Sequence, residues 1–164
     1  IAGNEDLLRR MRDEGHQVGN HSWSHADLKS ESDWGLQQEV GRTDALLREV
    51  LGEGDYWLRP PYGFLTARQR QLLTVPAVKW SVDPEDWKLR NTEQDAAAVL
   101  KAVQPGDIIL MHDTIPATVD AALQIVDALQ AQGYTFVTVE ELLVLSGVEP
   151  RPGVFYCSAT ATEG

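Results

Sequence analysis

Short apolar runs alternate with helical patterns along this 164-residue sequence, and this alternation restricts the fold more than any other feature. The strand-like runs are residues 16–20, 55–59, 77–82, 108–111 and 135–138. Helical apolar spacing or capping residues mark the segments around them: 4–11, 32–51, 66–73, 92–103, 119–132 and a last one from 140. This repeated strand–helix succession predicts an α/β fold with a parallel sheet.

Polar side chains of chemical interest follow four of the predicted strands. The residues at these strand ends are His21, Arg59, Asp83 and His112. In parallel α/β folds, functional sites collect at the carboxyl ends of the strands. We therefore expect these residues to contribute to one shared site.

His21 and His25 are four residues apart in the stretch Gly-Asn-His-Ser-Trp-Ser-His, residues 19–25. On one turn of a helix, positions i and i+4 share a face, so both imidazoles could reach one metal ion. Zinc is the first candidate because imidazole suits it well. Two polar side chains on an exposed helix would have the same spacing, so the pair alone leaves both interpretations open.

Composition restricts the partners. The net charge of −11 and the pI near 4.7 argue against nucleic acid and against anionic membranes, since both require a basic surface. No apolar run approaches the ~20 residues of a membrane-spanning helix. The mass of 18.2 kDa predicts a single domain over residues 1–164. The single cysteine, Cys157, can form no internal disulfide.

Four blocks of the sequence resemble, in order, the motifs of the polysaccharide deacetylases (NodB-homology domains, carbohydrate esterase family 4). Residues 21–25 match the His-(Ser/Thr)-x-x-His motif, residues 59–63 match Arg-Pro-Pro-Tyr-Gly, residues 83–87 match Asp-x-x-x-Trp, and residues 110–112 match Leu-x-His. The resemblance covers nearly the whole chain. It implies a distorted (β/α) barrel that hydrolyses N-acetyl or O-acetyl groups on sugars.

The resemblance also implies roles for individual residues. His21 and His25 would hold zinc, or another divalent metal such as cobalt, which would polarise the acetyl carbonyl. His112 would be the general acid that protonates the leaving group. Asp83 would hold the His112 ring and tune its charge, and Arg59 would orient the catalytic carboxylate.

Four further residues would contact the substrate. The backbone N–H of Tyr62, which follows Pro61, would help to stabilise the oxyanion. Leu110 and Trp87 would line the pocket for the acetate methyl group. Taken singly, Tyr62 and Trp87 could equally be packing residues, Leu110 could be a core residue, and Asp83 could be part of an ordinary turn.

The family's Thr-Phe-Asp-Asp-Gly-Pro-like block, which precedes the His motif, has no counterpart in these residues. In the family it supplies the third metal ligand and the general base, and the first strand, first helix and second strand accompany it. We therefore expect a barrel without those elements, completed by an N-terminal peptide or a second chain, and weak or no activity of the isolated chain. Asp27, Asp86 or Asp113 could substitute as the base, but none matches the family's pattern.

The predicted function is metal-dependent hydrolysis that removes acetyl groups from a glycan. The enzyme would be either a hydrolase of carbon–nitrogen bonds other than peptide bonds or an acetyl esterase. Chitin, peptidoglycan and acetylated xylan would all fit, so we expect an extracellular or cell-envelope location. The alternative is a glycan-binding domain with impaired catalysis. Two histidines and a carboxylate also describe non-haem iron oxygenases. That interpretation is disfavoured because it explains neither residues 59–63 nor residues 110–112. A zinc protease is disfavoured because Ser22 stands where its motif requires glutamate.

Overall fold

Seven α-helices and three two-residue strands are present in the computed structural model, which describes residues 1–163. The helices are α1 (Glu5–Asp13), α2 (Asp33–Leu51), α3 (Ala67–Arg70), α4 (Asp86–Leu89), α5 (Thr92–Ala102), α6 (Pro116–Ala131) and α7 (Val139–Leu145). The strands are β1 (Ala77–Val78), β2 (Phe155–Tyr156) and β3 (Thr162–Glu163). The six predicted helices are confirmed, and α4 is an additional helix in a segment where the sequence predicted neither helix nor strand.

Capping and proline residues explain where α2 and α6 begin. The Ser32 hydroxyl accepts a hydrogen bond from the backbone N–H of Gly35 at 3.1 Å, which caps α2. Ser30, two residues earlier, ends a separate 3₁₀ turn, Leu28–Ser30. Helix α6 begins three residues earlier than predicted because Pro116 occupies its first turn, where the missing N–H costs nothing.

Parallel pairing joins successive segments of the chain. Asn20 bridges Leu58, Leu58 bridges Ala77, and β1 pairs in parallel with β2. Strand β3 then pairs antiparallel with β2. A separate parallel bridge joins Val82 to Ile109. The predicted parallel α/β arrangement is therefore confirmed, although the pairing is limited to one or two residues in each segment.

The predicted strand at residues 135–138 is wrong. These residues bridge no other segment within residues 1–163, and Thr138 instead caps α7. Phe136 and Val137 are 45% and 39% exposed, so neither apolar side chain gains the burial that would favour pairing with a sheet.

The structure divides into two compact units. Unit 1 comprises residues 1–79, residues 138–156 and strand β3, and unit 2 comprises residues 80–137 and 157–161. The prediction of a single domain over residues 1–164 stays a prediction. No helix within residues 1–163 combines the length and the apolar character needed to cross a membrane.

Each unit has its own apolar core. In unit 1, one cluster consists of Leu28, Leu36, Leu58, Leu73, Ala77 and Phe155, and a second consists of Leu47, Val50, Leu51 and Tyr56. In unit 2, α5 and α6 pack together through Val82, Ala96, Val99, Val103, Ala121, Ile125 and Leu129. A fully buried aliphatic side chain of this kind stabilises a fold by about 1.5–3 kcal/mol.

A carboxylate on α5 lies within the interior of unit 2. Asp95 on α5 is fully buried, and neither of its carboxylate oxygens has a hydrogen-bond partner within residues 1–163. Burial raises the pKa of Asp95, and repulsion from Asp86 adds to the effect. The folded protein therefore holds a proton on Asp95 more tightly than the unfolded chain does.

We expect Asp95→Asn to change how stability depends on pH. Because the folded-state pKa is raised, wild-type stability is lost as pH rises from the unfolded pKa through the folded pKa, and asparagine cannot ionise. The Asp95→Asn variant and the wild type should be nearly equal in stability near pH 4 and differ increasingly above it, by about 1–3 kcal/mol at the plateau. Urea unfolding at pH 4, 6 and 8 measures this difference. Asp120→Asn, on the exposed side of α6, is the control, and equal slopes for all three proteins would contradict the assignment.

Candidate active site

His21 and His25 lie in a loop, residues 21–27, rather than on a helix. Ser22 and His25 have φ angles of 66° and 61°, in the left-handed region, so the helical-face argument for the pair is wrong. The loop nevertheless brings the two imidazoles together. Their ring centroids are 5.0 Å apart, with 74° between the ring planes.

Local hydrogen bonds hold this loop in its left-handed conformation. The buried side chain of Asn20 accepts from the Ser22 N–H at 3.0 Å and donates to the Val40 carbonyl at 2.9 Å. The Ser22 hydroxyl in turn accepts from the His25 N–H at 3.0 Å. A left-handed non-glycine residue costs about 1–2 kcal/mol, and these bonds offset that cost.

Glu39 on α2 binds the centre of the same loop. Its Oε2 accepts from the backbone N–H groups of Trp23 and Ser24 at 3.1 and 2.8 Å, and its Oε1 accepts from the Ser24 hydroxyl at 2.9 Å. Burial alone would raise the pKa of Glu39, but the bonds from Ser24 and Trp23 outweigh it and lower the pKa below its ordinary value. No local pattern in the sequence indicates this contact, which joins residues 15 and 16 positions apart.

Replacing Glu39 with alanine is expected to weaken metal binding by His21 and His25. Groups that support metal ligands typically contribute 10–100-fold to affinity, and we expect a loss of about that size. Isothermal titration with Zn²⁺ or Co²⁺ measures it. Glu49→Ala, an exposed change on the same helix, is the control. If Glu39→Ala bound the metal as tightly as Glu49→Ala does, the loop would need no anchor.

The tautomer of His21 suits metal binding. Its Nδ1 lies 2.5 Å from the carbonyl oxygen of Arg59. A carbonyl can only accept, so Nδ1 carries the proton and Nε2 carries the lone pair, the form in which imidazole ligates a metal. No group of three or more His, Cys, Asp or Glu side chains within residues 1–163 could hold a metal ion. With their rings 5.0 Å apart, His21 and His25 could supply two ligands of a zinc-type site.

Residues 59–63 lie beside the histidine loop in unit 1. Tyr62 has a φ of 59° in a 3₁₀ turn, Pro61–Gly63, and its ring meets the His25 ring edge-on, with centroids 5.2 Å apart. The Tyr62 side chain is 59% exposed, whereas Pro61 is buried. The Tyr62 N–H donates to no backbone acceptor among the described residues, as an oxyanion donor would require before substrate binds.

Arg59 carries a charge that is poorly matched by its surroundings. Its Nε is buried and has no hydrogen-bond partner within residues 1–163. Burial accordingly lowers the pKa of the Arg59 guanidinium. A carboxylate is the group that would pair with it, which agrees with the role that the sequence resemblance implied for this residue.

In unit 2, His112 is held by Asp86. Asp86 Oδ1 lies 2.7 Å from His112 Nδ1, and its Oδ2 accepts from the His112 backbone N–H at 2.7 Å and the Thr118 hydroxyl at 2.9 Å. Burial alone would raise the pKa of Asp86, but the bonds from His112 and Thr118 hold it below its ordinary value. An ionised Asp86 places the His112 proton on Nδ1, and Nε2 is left to exchange protons with a substrate.

The role that we predicted for Asp83 is therefore wrong, because Asp86 occupies that position. Asp83 is exposed, and its Oδ1 accepts from the Glu85 N–H at 2.8 Å, an ordinary turn contact. Glu85 is left-handed, with φ 55° and ψ 37°, and it starts α4 so that Asp86 is fully buried. Two aspartates three residues apart look alike in sequence, and only the four-residue helix distinguishes them.

His112 opens into a cleft of about 520 Å³ in unit 2. The cleft is lined by Trp87, Arg90, His112, Thr114, Ile115, Pro116 and Ala117. Trp87 is 52% exposed, so its indole is accessible there. Leu110 is only 7% exposed and does not line this cleft, so the structure places it in the interior. Its predicted contact with the acetate methyl group stays a prediction.

Known proteins resemble this chain over most of its length. The family model described as polysaccharide deacetylase matches residues 1–75. The peptidoglycan-N-acetylglucosamine deacetylase PgdA of Listeria monocytogenes is 37% identical over 145 residues, which are 87% of this chain and 30% of that protein. The chitooligosaccharide deacetylase of a Bradyrhizobium strain is 33% identical over 154 residues, which are 82% of this chain and 69% of that protein.

A solved structure shows the same fold. The family 4 acetyl xylan esterase of Clostridium thermocellum, in complex with cobalt, has a TM-score of 0.91 and 31% identity over 98% of this chain and 81% of that one. The predicted NodB-type α/β fold is thereby confirmed. This chain spans about 30% of the length of the Listeria relative and about two thirds of the Bradyrhizobium one. It belongs to the polysaccharide deacetylase family, carbohydrate esterase family 4.

Proposed function

We propose that this chain acts in the metal-dependent hydrolysis of N-acetyl or O-acetyl groups on a carbohydrate, with release of acetate. The observation that carries this proposal is the Asp86–His112 pair, whose imidazole opens into a cleft beside the exposed indole of Trp87. A histidine held by a buried carboxylate at a cleft is the arrangement of a general acid–base group.

His21 and His25 would hold the divalent cation, zinc or cobalt, through two imidazole nitrogens. A bound cation of this kind supplies Lewis-acid polarisation of the acetyl carbonyl and lowers the pKa of a bound water. The Nδ1 bond of His21 to the Arg59 carbonyl fixes the ring orientation before any ligand arrives. The Tyr62 N–H would donate to the oxyanion that develops on the acetyl oxygen.

His112 would give its Nε2 proton to the leaving amine or alkoxide. Proton donation is needed because an amine that departs as an anion is a very poor leaving group. Asp86 stabilises the imidazolium and keeps its proton-bearing Nδ1 in place. Trp87 would contact the sugar that carries the acetyl group.

We further propose that the isolated 164-residue chain is weakly active or inactive. A catalytic zinc site ordinarily has three protein ligands, whereas residues 1–163 supply two histidines and no third donor beside them. A carboxylate from an N-terminal peptide or a second chain could complete the ligand set, and another could pair with Arg59. The orphaned Nε of Arg59 supports this proposal.

The proposed substrate is an acetylated glycan: peptidoglycan N-acetylglucosamine, chitin oligomers or acetylated xylan. The net charge of −11 favours neutral glycans over polyanionic ones. Because such polymers lie outside the cytoplasm, we propose an extracellular or cell-envelope location.

Acetate release tests the function. The chain is incubated with Zn²⁺ or Co²⁺ and each of the three glycans, with and without a peptide that carries the family's Asp-Asp block. We expect slow release by the chain alone, faster release with the peptide, and none from a His112→Ala control. Release by the chain alone at a rate that the peptide does not increase would contradict the proposed weakness of the isolated chain.

A catalytically impaired glycan-binding domain is the second candidate. It predicts glycan binding without acetate release, even when the Asp-Asp peptide and metal are present. The same incubation therefore separates the two candidates.

A further inference from the structure

Trp23 stands between the two candidate metal ligands in the sequence, and its large aromatic ring is partly exposed. Its side chain is 45% exposed, although indole gains more from burial than most side chains. It is two residues from His21 and two from His25, so its Cα lies within about 7 Å of each of theirs. No role in the proposed chemistry has been assigned to it.

The indole is held from one side by α2. The guanidinium carbon of Arg42 lies 4.1 Å from the ring centroid, the distance of a cation–π contact. The backbone N–H of Trp23 is bound by Glu39, one helical turn before Arg42. Because Arg42 covers one face, the exposed fraction of the ring belongs to its opposite face and its edges.

Trp34 shows that this mounting is specific to Trp23. Trp34 is at the start of α2 in the same unit and is 69% exposed. Among the described residues it forms no ring–ring or cation–π contact. Trp23 therefore has a fixed ring with one accessible face, whereas Trp34 has an exposed ring without such support.

A fixed, one-sided indole suits one class of ligand. The face of a pyranose ring presents C–H groups that pack on an aromatic surface, while its hydroxyls reach outward to polar groups. Little conformational entropy is lost on binding, since the indole is already oriented.

We propose that Trp23 is a sugar-stacking platform, which binds a pyranose ring adjacent to the one that carries the acetyl group. This proposal rests on the proposed function for the identity of the acetylated ring. It predicts that an oligosaccharide binds more tightly than a single sugar, because the platform contacts a ring other than the acetylated one.

Binding without catalysis tests the platform. Metal-free wild type, Trp23→Ala, Trp23→Phe and Trp34→Ala are titrated with the N-acetylglucosamine tetramer and with the monomer, by calorimetry or NMR. We expect Trp23→Ala to weaken tetramer binding about tenfold and Trp23→Phe about threefold, with monomer binding unchanged. Trp34→Ala should bind both sugars as the wild type does, and circular dichroism confirms the fold of each variant.

Two results would overturn the platform: tetramer binding by Trp23→Ala at wild-type affinity, or no tetramer binding by the wild type. Acetate release is measured on the same samples after Zn²⁺ and the Asp-Asp peptide are added. Tetramer binding that depends on Trp23, without acetate release by the wild type, would contradict the proposed function and leave the platform intact. If Trp23→Ala released acetate and bound the tetramer as the wild type does, the platform would be contradicted and the proposed function would stand.

Discussion

Replacing Asp86 with alanine is expected to lower the free energy of unfolding by about 2–4 kcal/mol, because the change leaves hydrogen-bond donors without their acceptor in the interior of unit 2. Asp86 is fully buried and accepts from the His112 ring, the His112 backbone and Thr118. Alanine leaves these three donors without an acceptor, and each unsatisfied buried group costs about 1–3 kcal/mol. Urea unfolding at pH 7 measures the change.

Asp83→Ala is the matched control for this experiment. Asp83 is exposed and accepts one local bond, so its loss should cost within about 1 kcal/mol. The pH dependence gives a second check. Because the pKa of Asp86 is lowered in the fold, its contribution is present above the unfolded pKa and is lost as pH falls through the folded pKa. If Asp83→Ala were the more destabilising change, the assignment of Asp86 as the His112 partner would be wrong.

Removing either histidine of the loop is expected to reduce affinity for Zn²⁺ or Co²⁺ by more than about 100-fold, because a direct ligand contributes more than the outer groups that support it. His25→Ala removes one of the two imidazoles, whose rings are 5.0 Å apart in the wild type. Calorimetric titration of the metal-free protein measures the loss. A thermal melt reports the same loss of affinity. Metal at about 100 times its Kd adds about 2.7 kcal/mol to wild-type stability, and a variant that binds more weakly gains less.

His16→Ala is the control for the histidine experiment. His16 is exposed and follows α1, outside the loop of residues 21–27. Its removal should leave both the affinity and the metal-induced rise in melting temperature unchanged. Equal losses on replacement of His16 and His25 would indicate adventitious surface binding rather than a site.

The parts of the fold that could be predicted from the sequence are those that depend on neighbours in the chain. Helix α2 has its cap at Ser32, a 19-residue amphipathic pattern and a glycine after its end, and each of these signals is local. The parallel pairing followed from the order of elements rather than from any strand alone. Residues 135–138 misled because their apolar side chains are exposed, and burial cannot be seen in a four-residue pattern.

The site was predictable in its residues but only partly in its geometry. The structure brings His21 and His25 together and pairs His112 with a carboxylate. The loop of residues 21–27 could not be predicted, because its left-handed residues are stabilised by Asn20 and by Glu39 on another element. Asp86 was missed for a related reason: its three donors come from His112 and Thr118, 26 and 32 residues away.

Asp86 contributes both to the stability of unit 2 and to the orientation of His112, two properties that separate residues usually serve. A lineage that lost the need for deacetylation could discard Tyr62 or a histidine of the exposed loop at little cost to folding. It could not discard Asp86, because the same hydrogen bonds that orient His112 also hold the interior of unit 2 together. Relatives that have become inactive should therefore keep an intact acid–base pair. The geometry of the acid–base pair is therefore protected by the folding of unit 2 as well as by any demand of catalysis.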